Sequence, residues 1–245
     1  MSRLTNKGQG APFSIFTKST DASLVTACGQ RFDLEDGREV VIVKAGAVDI
    51  ATGKLHQSPA VIANHENLAV TAFQVANTQF GTPAKVTVTL GATAVTENMY
   101  AQGYLVVNAG TGAGQLLKIS SNPSALASAS CVISLEDAPT IDLDTTSKVS
   151  LILDLYKDVI VAPVTLTGKI IGVSMNAITA GEYGYLQTKG AVSLLSDGAI
   201  PAGSAVSPSA SVAGAVEAGV ITQGIVGVAV QTTVDTEYRT VSVDL

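Results

Sequence analysis

The sequence has no tryptophan, two histidines, two cysteines and few charges, and each scarcity removes a class of function. Without tryptophan, a carbohydrate platform lacks its best stacking side chain. Cys28 and Cys131 are too few and too far apart for a metal pattern or a dense disulfide framework, so both are expected to be small buried hydrophobes. His56 and His65 have no neighbours that complete a catalytic or metal-binding set. Charged residues make up 14% of the chain, against about 25% in an ordinary soluble domain, so the surface has to be built from Thr, Ser, Asn, Gln, Ala and Gly. No apolar run approaches the ~18 residues of a membrane span. The opening MSRLTNKGQG lacks the apolar stretch of a secretory signal, so the expectation is a chain made in a cytosol, soluble and without a membrane partner.

Fourteen basic against twenty acidic residues leave a net charge of −6, which argues against a broad phosphate-neutralising face and hence against direct nucleic-acid binding. The charge is unevenly placed. The first eighteen residues carry Arg3, Lys7 and Lys18 and no acid, leaving the rest of the chain at −9. Such an arm either docks on an acidic partner or holds three solvated cations.

What is present is alternation. Apolar residues recur every second position in Val86-Thr-Val88-Thr-Leu90, in Ile141-Asp-Leu143, from Val149 through Leu155, at Val226, Val228 and Val230, and at Val241, Val243 and Leu245. That period belongs to half-buried strands. Asp36-Gly37, between Phe32/Leu34 and Val40/Ile42, reads as a hairpin turn, since glycine supplies the positive φ such a turn needs. Turn residues at 81–83, 108–114, 122–123, 167–168, 197–198 and 201–203 punctuate the remainder at the spacing of an all-β sandwich or barrel. Helix is expected at most as one or two turns, in residues 93–102 with Thr96 as cap, or in the alanine-rich 124–130.

One internal repeat appears. IIGVSMNAITAGEYGYLQT from Ile170 matches IVGVAVQTTVDTEYRTVSV from Ile225 at a constant offset of 55, aligning Gly172 with Gly227, Glu182 with Glu237 and Tyr183 with Tyr238. Two similar hairpins follow, too few for a solenoid. The expected fold class is therefore all-β, with β-barrel or sandwich domains, an extended N-terminal arm and two similar C-terminal hairpins. The arm covers residues 1–29 and is followed by a β segment, 30–64, expected to pair with the C-terminal domain. Residues 65–157 form a central β-domain, an insertion if that pairing holds, and 158–245 form the C-terminal β-domain.

Candidate chemistry is sparse. In Asn64-His65-Glu66-Asn67 adjacent strand residues point to opposite faces and cannot converge on one ion, so a solvated loop is expected, and His56 is expected at the surface. Asn108 to Gln115 looks like a phosphate loop but lacks the Lys-Ser/Thr pair and the following helix. Its glycines fit a hairpin turn or bulge between Tyr104–Val107 and Leu116–Ile119. Asp142 and Asp144, preceded by Glu136-Asp137, suggest a calcium site on paper, yet no calcium loop surrounds them and the solvent side of an alternating strand explains them. Tyr183, Tyr185 and Tyr238 either form a sugar platform or cap a core with their hydroxyls wet. No residue is assigned a catalytic, cofactor-binding or metal-binding role, and no enzyme activity is expected.

Five segments resemble structural proteins encoded in tailed-bacteriophage head gene clusters, closest to capsid decoration, or cement, proteins. They are FDLEDGREVVIVKAGAV, GATAVTENMYAQGYLVVNAGTGAGQLLKI, LDTTSKVSLI, AGEYGYLQTKGAVSLLSDGAIPAGSAVSPSASVAGAV and GIVGVAVQTTVDTEYRTVSVDL. The C-terminal phrase is the most similar part. The resemblance implies a virion protein on the outer surface of the capsid, commonly a homotrimer, that binds across major capsid protein subunits and braces them. Phe13, Ile15 and Phe16 form an alternating apolar anchor in the arm, and with Arg3, Lys7 and Lys18 they are the expected capsid-docking residues. The same side chains also suit a fold back onto their own core. A host-surface or glycan-binding head module, such as an adhesin or fibre component, is the competing expectation.

Overall fold

The computed structural model describes residues 11–74, 84–220 and 224–245, and the turn expected at 81–83 and the cations Arg3 and Lys7 lie outside them. The chain is nearly all β. Up to residue 60 it forms β1 (Arg31–Asp33), β2 (Glu39–Lys44) and β3 (Leu55–Gln57). Next come β4 (Leu68–Gln74), β5 (Lys85–Thr89), β6 (Tyr104–Ala109), β7 (Leu116–Ser121), β8 (Ser130–Leu135) and β9 (Lys148–Ile152). The last third supplies β10 (Ile160–Val161), β11 (Ile170–Ser174), β12 (Tyr183–Leu195), β13 (Ala205–Pro208), β14 (Val216–Ala218), β15 (Gly227–Ala229) and β16 (Tyr238–Asp244).

Two compact units result, one of residues 1–60 with 155–245, the other of 61–154. In the second unit β4-β5-β8-β7-β6-β9 close into a barrel. Its inward positions, among them Val86, Val88, Leu105, Val107, Ile133 and Leu151, make one dry core. Alternation along each strand sends those residues inward and their polar neighbours outward, and closure leaves no exposed sheet edge.

The first unit is a single curled sheet in the order β10-β3-β11-β12-β16-β15-β13-β14, with β2 also pairing β12 and β1 pairing β2. Its register repeats. In β11–β12, Val173 faces Gln187 and Ser174 faces Leu186. In β15–β16, Val228 faces Ser242 and Ala229 faces Val241, the same pairs 55 residues on. The turns match as well: Glu182 N–H bonds Thr179 O at 3.0 Å and Glu237 N–H bonds Val234 O at 3.2 Å, with positive φ at Gly181 (77°) and Thr236 (62°).

The correspondence extends beyond the two hairpins. His56 faces Gly172 and Val161 in the first set; Val206 faces Gly227 and Ala218 in the second. Val41 and Val43 of β2 face Leu186 and Gly184 of β12, just as Val192 and Leu194 of β12 face Val241 and Arg239 of β16. Even the isolated parallel bridge Ala45–Val159 has its counterpart in Ser196–Val216. The unit is thus a tandem of two five-stranded copies. The first is β2, β3, β10, β11 and the front half of β12; the second is the back half of β12 with β13, β14, β15 and β16. Each copy has a core, Val41, Val43, Ile50, Val159, Ile171 and Leu186 in the first and Val192, Leu194, Ile200, Val216, Val226 and Val241 in the second, and the second cluster also takes in Leu55, Ala162 and Val173 of the first copy. Glycine is required where the hairpin strands approach, because a Cβ on Gly172 or Gly227 would lie 2.8 or 2.2 Å from the carbonyl oxygen of Gln187 or Ser242.

The largest difference between the copies is in one connection. The second joins β13 to β14 through the short Ser209–Ala215 stretch, whereas in the first the whole barrel unit stands between β3 and β10.

Several expectations need correction. Residues 93–102 and 124–130 form turns, not helix; the helical turns are 3₁₀ segments at Ala22–Ala27, capped by Asp21, and at Ala63–His65. Ile141 to Leu143 alternates without joining a ladder, its Leu143 being a loop anchor into the barrel core. Val230 lies beyond β15 and is exposed. Cys131 is buried, while Cys28 is only half-buried.

Replacing residues 59–158 by the Ser209–Ala215 sequence is expected to yield a shortened chain that folds cooperatively around the tandem sheet. Circular dichroism and a single sharp thermal transition check this; a chain without such a transition means that the barrel unit is needed for the sheet to form.

Candidate functional site

Residues 11–30 lie along the first copy and place the expected docking residues. Phe13 packs on Tyr185 with the rings tilted by 43° and their centroids 4.6 Å apart, and Phe32 meets the same ring edge-on at 6.0 Å. The Tyr185 hydroxyl donates to Phe13 O at 3.2 Å, and burial pushes that phenol's pKa up to about 12, so the donor keeps its proton. Ile15 is 2% exposed in a cluster with Phe32, Val40, Ile42 and Tyr185. Ser19 then exchanges main-chain hydrogen bonds with Tyr183, at 2.9 and 2.8 Å. Lys18 reaches Glu182 at 2.7 Å and bonds the Thr179 hydroxyl. The lysine holds the Glu182 carboxyl below the usual carboxylate range.

The anchor is therefore split. Phe13 and Ile15 fold back on their own domain, Ile15 buried and Phe13 partly buried against the cluster of Tyr185 and Ile42. Phe16 is turned outward, 56% exposed, at the rim of a shallow groove of about 230 Å³ bordered by Arg38, Met175, Gln187, Ala191 and Ser193. Among the described arm residues it is the large apolar side chain left for docking, with the ion-paired Lys18 beside it.

The remaining candidates fall into structural roles. His65 is fully buried, contrary to the solvated loop expected for it. Its Nε2–H donates to Thr93 O at 2.9 Å, which leaves Nδ1 to accept from the Tyr100 hydroxyl at 2.5 Å. Asn64, Glu66 and Asn67 around it are exposed.

His56 is also fully buried, not at the surface, and neither ring nitrogen makes a hydrogen bond of normal geometry. Burial lowers its pKa from 6.5 to about 4, offset only in part by the Lys54 backbone, whose side-chain charge pulls the same way as burial. Register gives it the place of Val206 in the second copy, so it stands in an apolar position as a neutral imidazole.

Asn108 to Gln115 is the β6–β7 hairpin loop, with positive φ at Gly110, Gly112 and Gly114. Asp144 is part of that loop's scaffold. Its carboxylate accepts from Thr146 Oγ1 (2.6 Å), Thr111 Oγ1 (2.7 Å) and Thr146 N–H (2.8 Å), bonds that hold its pKa below the usual range. Among the described residues no three His, Cys, Asp or Glu side chains gather as a metal site. No helix among them is long and apolar enough to cross a membrane.

The three tyrosines do not make a platform. Tyr183 and Tyr185 are buried at the front of β12, whereas Tyr238 pairs with Leu195 at its far end, about 40 Å along a strand of this rise. What sequence reasoning missed is the larger surface, the outer faces of the two copies, covered by residues 11–34 in the first and, in the second, open beyond the groove that Ala191 and Ser193 share with Phe16, Arg38 and Met175. Only the full strand register exposes that relation.

Comparison with family models, with curated proteins and with solved structures finds no match to this chain.

Two outcomes are expected. Ile15→Ala should cost about 2–5 kcal/mol of stability while Phe16→Ala stays within about 0.5 kcal/mol, as measured by denaturant unfolding; equal losses would mean that both side chains are packed. A histidine whose folded pKa is depressed adds to stability above its unfolded value and loses that contribution as pH falls from 6.5 toward 4. His56→Val should flatten this acid limb, worth about 3 kcal/mol, in unfolding curves at pH 7 and pH 4. An unchanged limb would place the titrating group elsewhere.

Proposed function

We propose that the chain is a structural protein of a tailed-phage virion that decorates the outer surface of the capsid, binds across major capsid protein subunits and stabilises the shell, as a homotrimer. The observation that carries this reading is that the most similar phrase, residues 180–245, spans nearly all of the second five-stranded copy, a unit made of sheet faces and short turns. A brace needs broad, rigid, hydrogen-bonding surface, and symmetric repetition turns modest contacts into strong attachment. A surface low in charge and net acidic suits contact with protein on the outside of a DNA-filled shell. Exposed Phe16, next to Lys18, is the described part of the arm available to the capsid. The adhesin reading lacks a comparable support, since its tyrosines lie apart.

The test is binding of the purified protein to expanded heads. Saturation at a fixed ratio to the major capsid protein, visible as density on the outer shell by electron microscopy and weakened by Phe16→Ala, is the expected result. Binding to host cells or glycans with none to heads would overturn the proposal.

A further inference from the structure

The two copies treat their outer faces differently. In the first, Val40, Ile42, Tyr183 and Tyr185 are buried under the segment that runs from Phe13 to Phe32. Register places Ala191, Ser193, Tyr238 and Thr240 at the same positions in the second copy, and none of the four is buried. Val228 and Val230 are 43% and 55% exposed, whereas their counterparts are covered, Met175 in part beside the arm and Val173 fully in the cluster of Val192, Leu194 and Val241. The floor is lower here, with a threonine where the first copy has Tyr185 and a serine where it has Ile42. A guest on this face must bring the bulk that the floor lacks.

The cover of the first copy shows which contacts such a guest makes. It pairs its main chain with Tyr183 through Ser19, places Lys18 on Glu182 and lays Phe13 and Ile15 on the sheet at alternate positions. The second copy keeps the complementary elements. Glu237 stands in the place of Glu182, half-exposed, with its carboxylate on Arg239 instead of on an arm lysine, and Tyr238 has no bridge beyond its pairing with Leu195 among the described residues. Charge favours a basic guest. From Lys189 to Leu245 five acids face two bases, a net −3, so the stretch repels an identical face and attracts a cation.

We infer that the open outer face of the second copy, floored by Thr240 and flanked by Val228, Val230 and Tyr238, beside the groove that Ala191 and Ser193 share with Phe16, is a docking site for an extended basic segment of a partner protein. That segment carries a lysine or arginine that takes Glu237 from Arg239 and large apolar side chains at alternate positions, and it adds to the sheet by a main-chain bridge at Tyr238. The inference stands apart from the capsid reading, because the face is defined by the chain's own repeat and is tested without a capsid.

The test is titration of the full-length, isotope-labelled protein with a synthetic peptide of its own residues 11–20, APFSIFTKST, followed by backbone amide NMR at low ionic strength. Saturable shifts confined to β15, β16 and the back half of β12 are expected. Glu237→Lys and Val228→Asp, both surface changes, should each weaken binding at least tenfold, and a peptide of scrambled order should not bind. Three results would overturn the inference: no shifts at millimolar peptide; shifts centred on Tyr185, meaning that the peptide displaces the chain's own cover; or a mass that rises with protein concentration while Val228 and Tyr238 become protected, meaning that a second copy occupies the face. If head binding fails while the peptide still docks, the capsid reading falls and this one stands.

Discussion

The first unit depends on one strand belonging to two cores. β12 runs unbroken from Tyr183 to Leu195; its front half sends Leu186 into the core with Val41 and Val43, its back half sends Val192 and Leu194 into the core with Val241 and Val243. Between the halves the ladder with β2 shifts at Gln187–Lys189. A strand held by hydrogen bonds on both sides and by apolar contacts at both ends cannot slip by one residue without turning every buried side chain outward. The register of either copy is therefore tied to that of the other.

That coupling explains why the copies tolerate so much divergence. Main-chain pairing, paired glycines at Gly172 and Gly227, and the turn ending in Glu-Tyr are kept, while His56 stands where the second copy has Val206, Ile178 answers to Thr233, and an entire barrel occupies a connection. Side chains away from the shared seam change as each face meets different surroundings. The face under Phe13 and Ile15 keeps large residues, and the open one has Ser193, Thr240 and Ser242.

Much of this was legible in the sequence. Alternation placed the strands around Val86–Leu90, Val149–Leu151 and Val241–Val243, Asp36-Gly37 placed the first hairpin, and the offset of 55 found the matched hairpins. The rest depends on contacts distant along the chain. The relation of β2 to the back half of β12 rests on similarity too slight to read between VVIV and AVSL, and it emerges only from common partners in a sheet. His56 and His65 look like surface residues because polarity is a statement about a side chain, whereas burial is decided by what the strands on either side bring to it. The arm shows the same limit: alternation at Phe13, Ile15 and Phe16 reveals which residues seek cover, not whether their own chain or another supplies it.

The unequal connections between β3 and β10 and between β13 and β14 have an engineering consequence. At the first, the sheet already carries a self-contained passenger whose two ends leave and re-enter at neighbouring strands. At the second, seven residues close the same gap. Ser209–Ala215 is thus a vacant socket of proven geometry, where cargo with adjacent termini can be spliced in and presented as a second appendage on one scaffold.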